Sequence, residues 1–394
     1  MLKPNRNYAT LQDSFLFVRI TERVNAYQQA HPDQTLIRMG VGDVTLPLCS
    51  TVIQALHAAV EEQANAETFH GYLPECGTSF FRKAVAAHYL RRGVRLAPDE
   101  VFISSGALDE LGDITDLFDH DNTALVMEPA YPAYVDTSVL AGRHINRLAA
   151  NRGNGFLPMP DGNTRGDLIY ICSPNNPTGA AFTRSQLQKW VDFANETGAL
   201  ILFDAAYEAY IEEDFVPHSI FELDGAKTCA IEICSLSKTA GFTGMRLGYT
   251  VVPHELQRDG MNLYEMWVRN RTTRTNGVSY LLQKGGEAVF TPEGQAETRK
   301  QIEYYKENAA VLMRTFDQLG LWYTGGKNAP YLWIECPFGM GSWQFFDMLL
   351  ESIQVVGTPG AGFGASGEGF FRFSIFGSHA DTETAANRLV RLLG

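Results

Sequence analysis

The sequence predicts an α/β protein in which a large, doubly wound, mostly parallel sheet is joined to a smaller α+β domain. Short apolar runs recur through the middle of the 394-residue chain, separated by glycines, polar turns and stretches of helical length. Most of these runs are continuously apolar, as strands covered on both faces of a parallel sheet must be. The alternation of strand and helix is typical of a doubly wound sheet.

Local patterns predict the individual elements of the large sheet. Between 183 and 198, apolar side chains recur on one face of a helix; they are Leu187, Trp190, Val191 and Ala194. The runs that predict strands are VFISS (101–105), TALVME (123–128), DLIYICS (167–173), ALILFDAAY (199–207), CAIEICSLS (229–237) and LGYTVV (247–252).

The last third of the chain has a different pattern. A charged stretch predicts a long helix over 296–319, and APYLWIEC and FFRFSIF predict strands, so helix and strand mix as in a small α+β domain. We predict a large domain over 46–285 and a small discontinuous domain made of 1–45 and 286–394. A ligand-binding cleft is expected between them.

Composition and charge exclude several classes of function. The 32 Lys and Arg against 45 Asp and Glu leave a net charge of −13, which argues against nucleic acid or an anionic membrane as the main partner. No apolar run is long enough to span a membrane, and no secretory signal is visible. The six cysteines form no disulfide framework or metal motif, so we expect a reduced, cytoplasmic protein without a metal site.

The segment SLSKTAGFTGMRLGY (235–249) carries the clearest chemical signal. Lys238 follows a predicted buried strand and lies among the hydroxyls of Ser235 and Ser237. Burial lowers the pKa of a lysine and suits an amine that forms a Schiff base. Arg246 and the hydroxyls would complement a phosphate. The alternative is a surface lysine at the start of a loop.

Two other strand ends carry candidate side chains. Asp204 ends an apolar strand, so its carboxylate needs strong hydrogen bonds or a cation such as a protonated pyridine nitrogen. Capping of the next helix is the alternative. Tyr207 lies near enough in sequence to contact the same ring. In SPNNPTGA (173–180), two prolines fix a rigid turn that presents the Asn176 amide.

The segment FISSGALDELGDITDLF (102–118) predicts an anion site. A strand ends at Gly106 and a helix begins, which leaves free backbone N–H groups for an anion such as phosphate. Leu108, Leu111, Ile114 and Leu117 recur at helical spacing and are expected in the core.

Arg372 lies inside the apolar run FFRFSIF, where a guanidinium must be paired. Its partner is either a buried structural acid or a carboxylate that arrives with the substrate, and the glycine-rich loop before it favours the substrate. That loop contains a GxGxxG pattern (362–367). It leads into a predicted strand instead of a helix, so it does not predict a dinucleotide site.

Taken together, these segments resemble the fold-type I aminotransferases that use pyridoxal 5'-phosphate (PLP), and in particular the LL-diaminopimelate aminotransferase family. The resemblance covers essentially the whole chain. It implies transfer of the α-amino group of a diamino acid to 2-oxoglutarate by a ping-pong Schiff-base mechanism, in a homodimer with active sites at the interface. The segments that carry it are HGYLPECG (70–77), EPAYPAYVDT (128–137), FDAAYEAYI (203–211), PHSIFEL (217–223), SKTAGFTGMRLGYTVVP (237–253), GGKNAPYLW (325–333) and VVGTPGAGFGASGEGFFRFSIFG (355–377).

The resemblance also implies roles for individual residues. Lys238 would hold the cofactor and move the α-proton of the substrate, Asp204 would pair with the ring nitrogen, and Arg372 would bind the α-carboxylate. The other residues expected at the cofactor are Ala107 and Leu108 (through their amides), Tyr131, Asn176, Tyr207, Ser235, Ser237 and Arg246. The others expected at the substrate are Phe15, Gly42, Asn176 and, across the dimer interface, Tyr72, Glu75 and Asn276.

Two positions depart from the family where the substrate is selected. Leu108 replaces a lysine that would neutralise the distal carboxylate of diaminopimelate, and Phe15 replaces a tyrosine. A buried carboxylate without its partner costs about 3–5 kcal/mol, unless Arg271 or Arg274 supplies the charge. Glu75, which suits a distal amine, is kept. We therefore hypothesise a donor that keeps the distal amine and lacks the distal carboxylate, as lysine or ornithine does.

One alternative from another reaction class stays open. A PLP-dependent oxidase or lyase on the same scaffold would need the same Lys238, Asp204 and Arg372. Sequence motifs do not separate these outcomes, because the cofactor-binding residues are common to them.

Overall fold

The computed structural model describes residues 2–11 and 16–394, and it confirms the predicted α/β architecture. Within those residues, seven strands form a large sheet and four form a smaller one, beside two pairs of short strands. The strands are β1 (Ile37–Arg38), β2 (Val101–Ser104), β3 (Ala124–Glu128), β4 (Ile145–Ala149), β5 (Leu168–Cys172), β6 (Leu200–Asp204), β7 (Ala230–Ser235), β8 (Gly248–Val251), β9 (Gln257–Arg258), β10 (Met261–Asn262), β11 (Tyr323–Gly325), β12 (Tyr331–Glu335), β13 (Val355–Val356), β14 (Thr358–Pro359) and β15 (Phe370–Ser374). The α-helices are α1 (Leu16–Ala30), α2 (Ser50–Gln63), α3 (Ser79–Arg91), α4 (Ala107–Asp113), α5 (Pro132–Leu140), α6 (Arg184–Thr197), α7 (Leu236–Thr239), α8 (Leu263–Arg274), α9 (Tyr280–Val289), α10 (Pro292–Gln318), α11 (Ser342–Ile353) and α12 (His379–Leu393).

The large sheet has the strand order β2-β8-β7-β6-β5-β3-β4 and is mostly parallel. Only β8 is reversed, running antiparallel to both β7 and β2. Each of the six predicted runs contains one of these strands. The seventh strand, β4, was not predicted, because it lies at the edge of the sheet and its side chains are half-buried or exposed. It therefore lacks the continuous apolar run of the inner strands.

Apolar side chains cover both faces of the large sheet. On one face, α6 packs with its predicted side inward, and Leu187, Trp190, Val191 and Ala194 are all buried. On the other face, Trp267 of α8 belongs to a second buried cluster. Because successive residues of a strand point to opposite faces, both clusters need apolar residues from the same strand. This explains the unbroken apolar runs in the sequence.

The predicted core positions after β2 are only partly correct. Leu111 and Ile114 are buried and Leu117 is half-buried, but Leu108 is 46 % exposed. Leu108 lies in the first turn of α4, where its side chain is exposed instead of packing into the core with Leu111. The prediction that Leu108 lies in the core is therefore wrong.

The smaller sheet has the antiparallel order β11-β12-β15-β14. Near it, β1 pairs with β13, so that Ile37 lies beside Val355 although most of the sequence separates them. This pairing is what a discontinuous small domain requires. The boundaries themselves, 46–285 against 1–45 with 286–394, stay a prediction.

The longest helix, α10, confirms the charged helix predicted over 296–319. It begins four residues earlier than predicted, at Pro292, where Thr291 caps it by accepting a hydrogen bond from the Gly294 N–H at 3.1 Å. In the described part of the chain, no helix combines the length and the apolar character that crossing a membrane would need.

Candidate active site

A cavity of about 690 Å³ opens where the carboxyl ends of β5, β6 and β7 meet the first turns of α4 and α5. Open α/β sheets bind their ligands at this edge. The structure brings together residues that the sequence separates by more than 300 positions. The predicted site residues that line the cavity are Gly42, Ala107, Leu108, Tyr131, Asn176, Asp204, Tyr207, Ser235, Ser237, Lys238, Arg246 and Arg372.

Asp204 is the last residue of β6, and its carboxylate is buried. Its Oδ2 accepts a hydrogen bond from the Tyr134 hydroxyl at 2.6 Å, and its Oδ1 accepts one from the Ala206 N–H at 3.0 Å. Burial raises the pKa of Asp204, and the two hydrogen bonds oppose that rise. Tyr207, and not Asp204, occupies the N-cap position of the next 3-10 turn, so the capping alternative is wrong.

Lys238 lies on the single turn of α7, directly after β7. Its Nζ donates a hydrogen bond to the Gly42 carbonyl. Burial lowers the pKa of Lys238 to about 8, although the nearby Asp43 carboxylate favours the charged form. The surface-lysine alternative is therefore wrong, because the amine lines the cavity.

An anion cradle lies at the start of α4. Gly106 has φ +121°, and a Cβ at this position would lie 2.6 Å from Nη2 of Arg246. Arg246 itself has φ +62°, which is uncommon for a residue with a side chain. The first N–H groups of a helix have no partner within it, and Ser235 and Ser237 line the same end of the cavity. This set suits a phosphate.

Arg372 lies on β15 and is 1 % exposed. Its Nη1 donates to Asn176 Oδ1 and its Nη2 donates to the Gly40 carbonyl, both at 2.6 Å. The guanidinium also stacks over the rings of Tyr331 and Phe363, at 4.4 and 4.9 Å from their centroids. Its Nε has no hydrogen-bond partner among the described residues. Among the described residues the partners of this guanidinium are all neutral, which argues against the buried-acid alternative.

Several cavity residues were missed by the sequence reasoning. Tyr134 lies one helical turn beyond Tyr131, and the edge-to-face contact of their rings has a centroid distance of 5.8 Å. Tyr331 places its hydroxyl 3.2 Å from that of Tyr207. Asp43 follows Gly42 and also lines the cavity. The repeated tyrosine in EPAYPAY is a signal for Tyr134, whereas nothing local in sequence connects Tyr331 with Tyr207.

Three of the predicted substrate residues that the structure describes, Tyr72, Glu75 and Asn276, do not line the cavity of a single chain. Tyr72 is 92 % exposed, Asn276 is exposed and Glu75 is half-buried. Because their predicted role is across a dimer interface, that role stays a prediction. Phe15 lies outside the described residues.

The two arginines considered as substitutes for a lysine at position 108 are engaged elsewhere. Arg271 donates to Glu110 Oε1 at 2.9 Å and to Asp113 Oδ2 at 2.5 Å. Arg274 forms ion pairs with Asp113 and Asp116. Neither arginine lines the cavity. Within one chain, no replacement for the missing cation comes from this helix.

Comparisons with known proteins agree with this geometry. Residues 34–389 match the family described as aminotransferase class I and II. The chain is 48 % identical to the LL-diaminopimelate aminotransferase of Lachnospira eligens and 47 % identical to that of Agathobacter rectalis, over the full length of each protein. The L,L-diaminopimelate aminotransferase structure from Chlamydomonas reinhardtii superposes with a TM-score of 0.94 at 41 % identity, covering 100 % of this chain and 99 % of that one. The chain belongs to the LL-diaminopimelate aminotransferase family.

The enzyme is thus a PLP-dependent aminotransferase, and its cavity fits that cofactor. Asp204 is a buried acid held by neutral donors, as a partner of a protonated ring nitrogen should be. Lys238 offers an amine with a lowered pKa. Gly106 leaves open, beside Arg246, the space that a Cβ would fill.

Proposed function

We propose that this aminotransferase moves the α-amino group of a diamino acid resembling LL-diaminopimelate to 2-oxoglutarate by a ping-pong mechanism, as a cytoplasmic homodimer. The placement of Arg372 carries the proposal. This arginine is buried, its hydrogen-bond partners among the described residues are neutral, and it lines the same cavity as Lys238. A cation in that environment suits the α-carboxylate of an amino acid. The names of the relatives support the diamino acid.

In this proposal the aminotransferase holds PLP with residues at the carboxyl ends of five strands, β2, β3, β5, β6 and β7. The chemistry that bound PLP supplies is the withdrawal of electron density from the substrate Cα. Asp204 keeps the ring nitrogen protonated, which supports that withdrawal. The residues that would hold the rest of the cofactor are Ala107, Leu108, Tyr131, Asn176, Tyr207, Ser235, Ser237, Lys238 and Arg246.

Lys238 is the proposed general base and acid. With a pKa of about 8, a substantial fraction of its Nζ is neutral near pH 7 to 8 and can accept the α-proton. The same Nζ, once protonated, would be the group that returns this proton to complete the transfer. Its hydrogen bond to the Gly42 carbonyl keeps the amine inside the cavity.

Arg372 and Asn176 act as a pair in substrate binding. The Arg372 guanidinium receives the α-carboxylate, and its bond to Asn176 Oδ1 fixes which way the amide points. This orientation leaves the amide N–H₂ of Asn176 to donate to the ring oxygen of the cofactor. The pair therefore couples substrate binding to cofactor binding.

A specific observation favours a second candidate donor, lysine or ornithine. Leu108 lines the cavity and is 46 % exposed, where the family has a lysine. Arg271 and Arg274 are paired with acids outside the cavity. A distal carboxylate would therefore lack a cation from this chain, whereas a distal amine needs none.

A donor panel tests both candidates. We would measure kcat/KM for LL-diaminopimelate, lysine and ornithine with 2-oxoglutarate, for the wild type and the Leu108→Lys variant. A strong wild-type preference for diaminopimelate supports the first donor, and a preference for lysine or ornithine supports the second. If the second holds, Leu108→Lys should raise turnover of diaminopimelate alone.

Product analysis tests the reaction class. One glutamate formed for each donor consumed supports transamination. Release of ammonia or peroxide without glutamate would instead support the lyase or oxidase alternative and contradict the proposal.

A further inference from the structure

A second cavity of about 340 Å³ lies behind the active site. Its walls are the carboxyl end of α3, the start of α10, and the segments that follow β6 and β7. Cavities of roughly 300–1,000 Å³ are typical of small-molecule sites. The mechanism proposed above uses none of its charged side chains.

The charges at this cavity are predominantly positive. Arg92 pairs with Glu208 at 2.5 Å, so these two charges cancel. Arg299 forms no hydrogen bond or ion pair with a described residue, and the contact of Arg91 is with a ring nitrogen of His88 at 3.4 Å. Burial lowers the pKa of His88 to about 4, so that ring is neutral at physiological pH. Arg91 and Arg299 therefore present two uncompensated cations in a chain of net charge −13.

The rest of the wall combines apolar side chains with the polar side chains of Ser235, Thr239, Gln295 and Thr298, and it includes one unsatisfied polar atom. Leu236, Val289, Phe290 and Ile302 line the interior of the cavity. The Nε2 atom of His88 is buried and has no hydrogen-bond partner among the described residues. The apolar part of the wall, beside the exposed Arg91 and Arg299, matches a small organic anion that has an apolar body.

We infer that this second cavity is a regulatory site for a small organic monocarboxylate with an apolar body. The carboxylate would pair with Arg91 and Arg299, and the body would pack on Phe290 and Leu236. This ligand differs from the amino donor, because the site offers no acid for an ammonium group other than Glu208, which Arg92 already neutralises.

The site is placed to act on the reaction. Ser235 lines both cavities, and Leu236 lies two residues before Lys238 on α7. Ala205, also in the wall, directly follows Asp204. A ligand in the second cavity would contact the segments after β6 and β7, which carry Asp204 and Lys238, on the side away from the active site. Binding at one cavity then changes affinity at the other, and by thermodynamic linkage the effect is reciprocal.

Calorimetric titration of the holoenzyme with phenylacetate tests the binding site. The titration is done in an Arg372→Leu background, which removes the carboxylate site of the active site. We expect saturable binding of one phenylacetate per chain, and no binding of the neutral analogue phenylacetamide. In that background, Arg91→Gln with Arg299→Gln should weaken binding about tenfold or more, as loss of charge-assisted hydrogen bonds predicts. Arg314→Gln, an exposed arginine on the same helix outside this cavity, is the matched control and should have no effect.

Kinetics of the otherwise wild-type holoenzyme test the regulatory role. Saturating phenylacetate should change kcat or the cofactor absorbance in a way that excess amino donor does not reverse, and the Arg91→Gln, Arg299→Gln variant should lose this response. The inference is overturned if no saturable binding occurs in the Arg372→Leu background, or if the double variant binds as tightly as its parent. It is also overturned if bound phenylacetate leaves the kinetics and absorbance unchanged.

Discussion

The Tyr134 hydroxyl donates a 2.6 Å hydrogen bond to Asp204 Oδ2 in a fully buried environment. Two opposing effects meet at this carboxylate. Burial raises the pKa of Asp204, and the Tyr134 hydroxyl is the strongest effect that lowers it. The tyrosine therefore helps to keep the acid ionised, which it must be to pair with a protonated ring nitrogen.

Tyr134→Phe should weaken cofactor binding and lower kcat about tenfold, because a hydrogen bond to a charged group contributes roughly 1.5–3 kcal/mol. The Kd for PLP, measured by fluorescence of the apoenzyme during titration, reports the effect independently of turnover. Tyr170→Phe is the matched control, since its ring stacks on Tyr134 at 5.2 Å without contributing to the Asp204 environment. Equal effects of the two substitutions would contradict this role.

The lowered pKa of Lys238 predicts how the apoenzyme reacts with amine reagents. Only the neutral amine is nucleophilic, so acylation of Lys238 should be half-maximal near pH 8. The measurement is the rate of modification of the peptide that contains Lys238, followed by mass spectrometry between pH 6 and 11. A midpoint above pH 10 would show that burial does not lower the pKa of this amine.

Gly106→Ala should disrupt the anion cradle. The new Cβ would lie 2.6 Å from Arg246 Nη2, and φ +121° is unfavourable for alanine. We expect PLP affinity to fall at least about tenfold, from displacement of a charge-assisted contact. Gly112→Ala on α4 is the control, because no atom lies within 4 Å of its added Cβ. A Gly106→Ala variant with unchanged PLP affinity would contradict the proposed cradle.

The raised pKa of the buried Glu232 predicts that the free energy of unfolding depends on pH. Burial raises the pKa of this β7 residue to about 7, against hydrogen bonds from Tyr89, Ser219 and the Ile220 N–H. Between pH 4.5 and 7 the unfolded chain ionises at this position while the folded chain stays protonated, so the free energy of unfolding falls as pH rises. Relative to Glu232→Gln, the wild type should lose about 3 kcal/mol across that interval. Urea denaturation at pH 4.5 and 7 measures the difference, and parallel pH profiles would contradict it.

Mixed dimers test the interface residues. If Glu75 serves the active site of the other subunit, a Glu75→Ala chain and a Lys238→Ala chain should complement one another. Mixing and refolding the two inactive variants in equal amounts should restore about a quarter of wild-type activity, since half of the random dimers contain one intact site. Mixtures that stay inactive, while each variant alone is dimeric, would show that Glu75 acts within its own chain.

The sequence predicted the parts of the fold that depend on local pattern. Inner strands of the large sheet need apolar residues on both faces, so their runs were visible, whereas edge strand β4 has no such requirement. Asp204 ends an inner strand and Lys238 and Asn176 follow two others, and the sheet edge where those strands end places all three in one cavity. Leu108 was misplaced because helical spacing does not indicate that the first turn of α4 borders a cavity.

Contacts between distant segments could not be predicted in the same way. The Tyr207–Tyr331 hydrogen bond joins residues 124 positions apart, one in the segment after β6 of the large sheet and the other on β12 of the small sheet. Arg372 has two neutral hydrogen-bond partners, Asn176 and Gly40, which come from two other segments of the chain. Such pairs depend on how the two sheets pack, and no short pattern in either segment encodes that arrangement.

Because β8 runs antiparallel to β7, the segment between them begins and ends at the same edge of the large sheet. Ser235 pairs with Gly248, so the connection leaves and re-enters the sheet at the same edge. If the strand after β7 were parallel to it, the chain would first have to cross to the opposite edge of the sheet. It could add another residue to the cavity only after the end of that strand. Lys238 and Arg246, eight residues apart, can instead serve one ligand from a single excursion. In protein engineering, this segment could therefore be transferred as one unit that carries both the amine and the guanidinium. Insertions between Lys238 and Arg246 would be poorly tolerated, because they would change the spacing of the two groups.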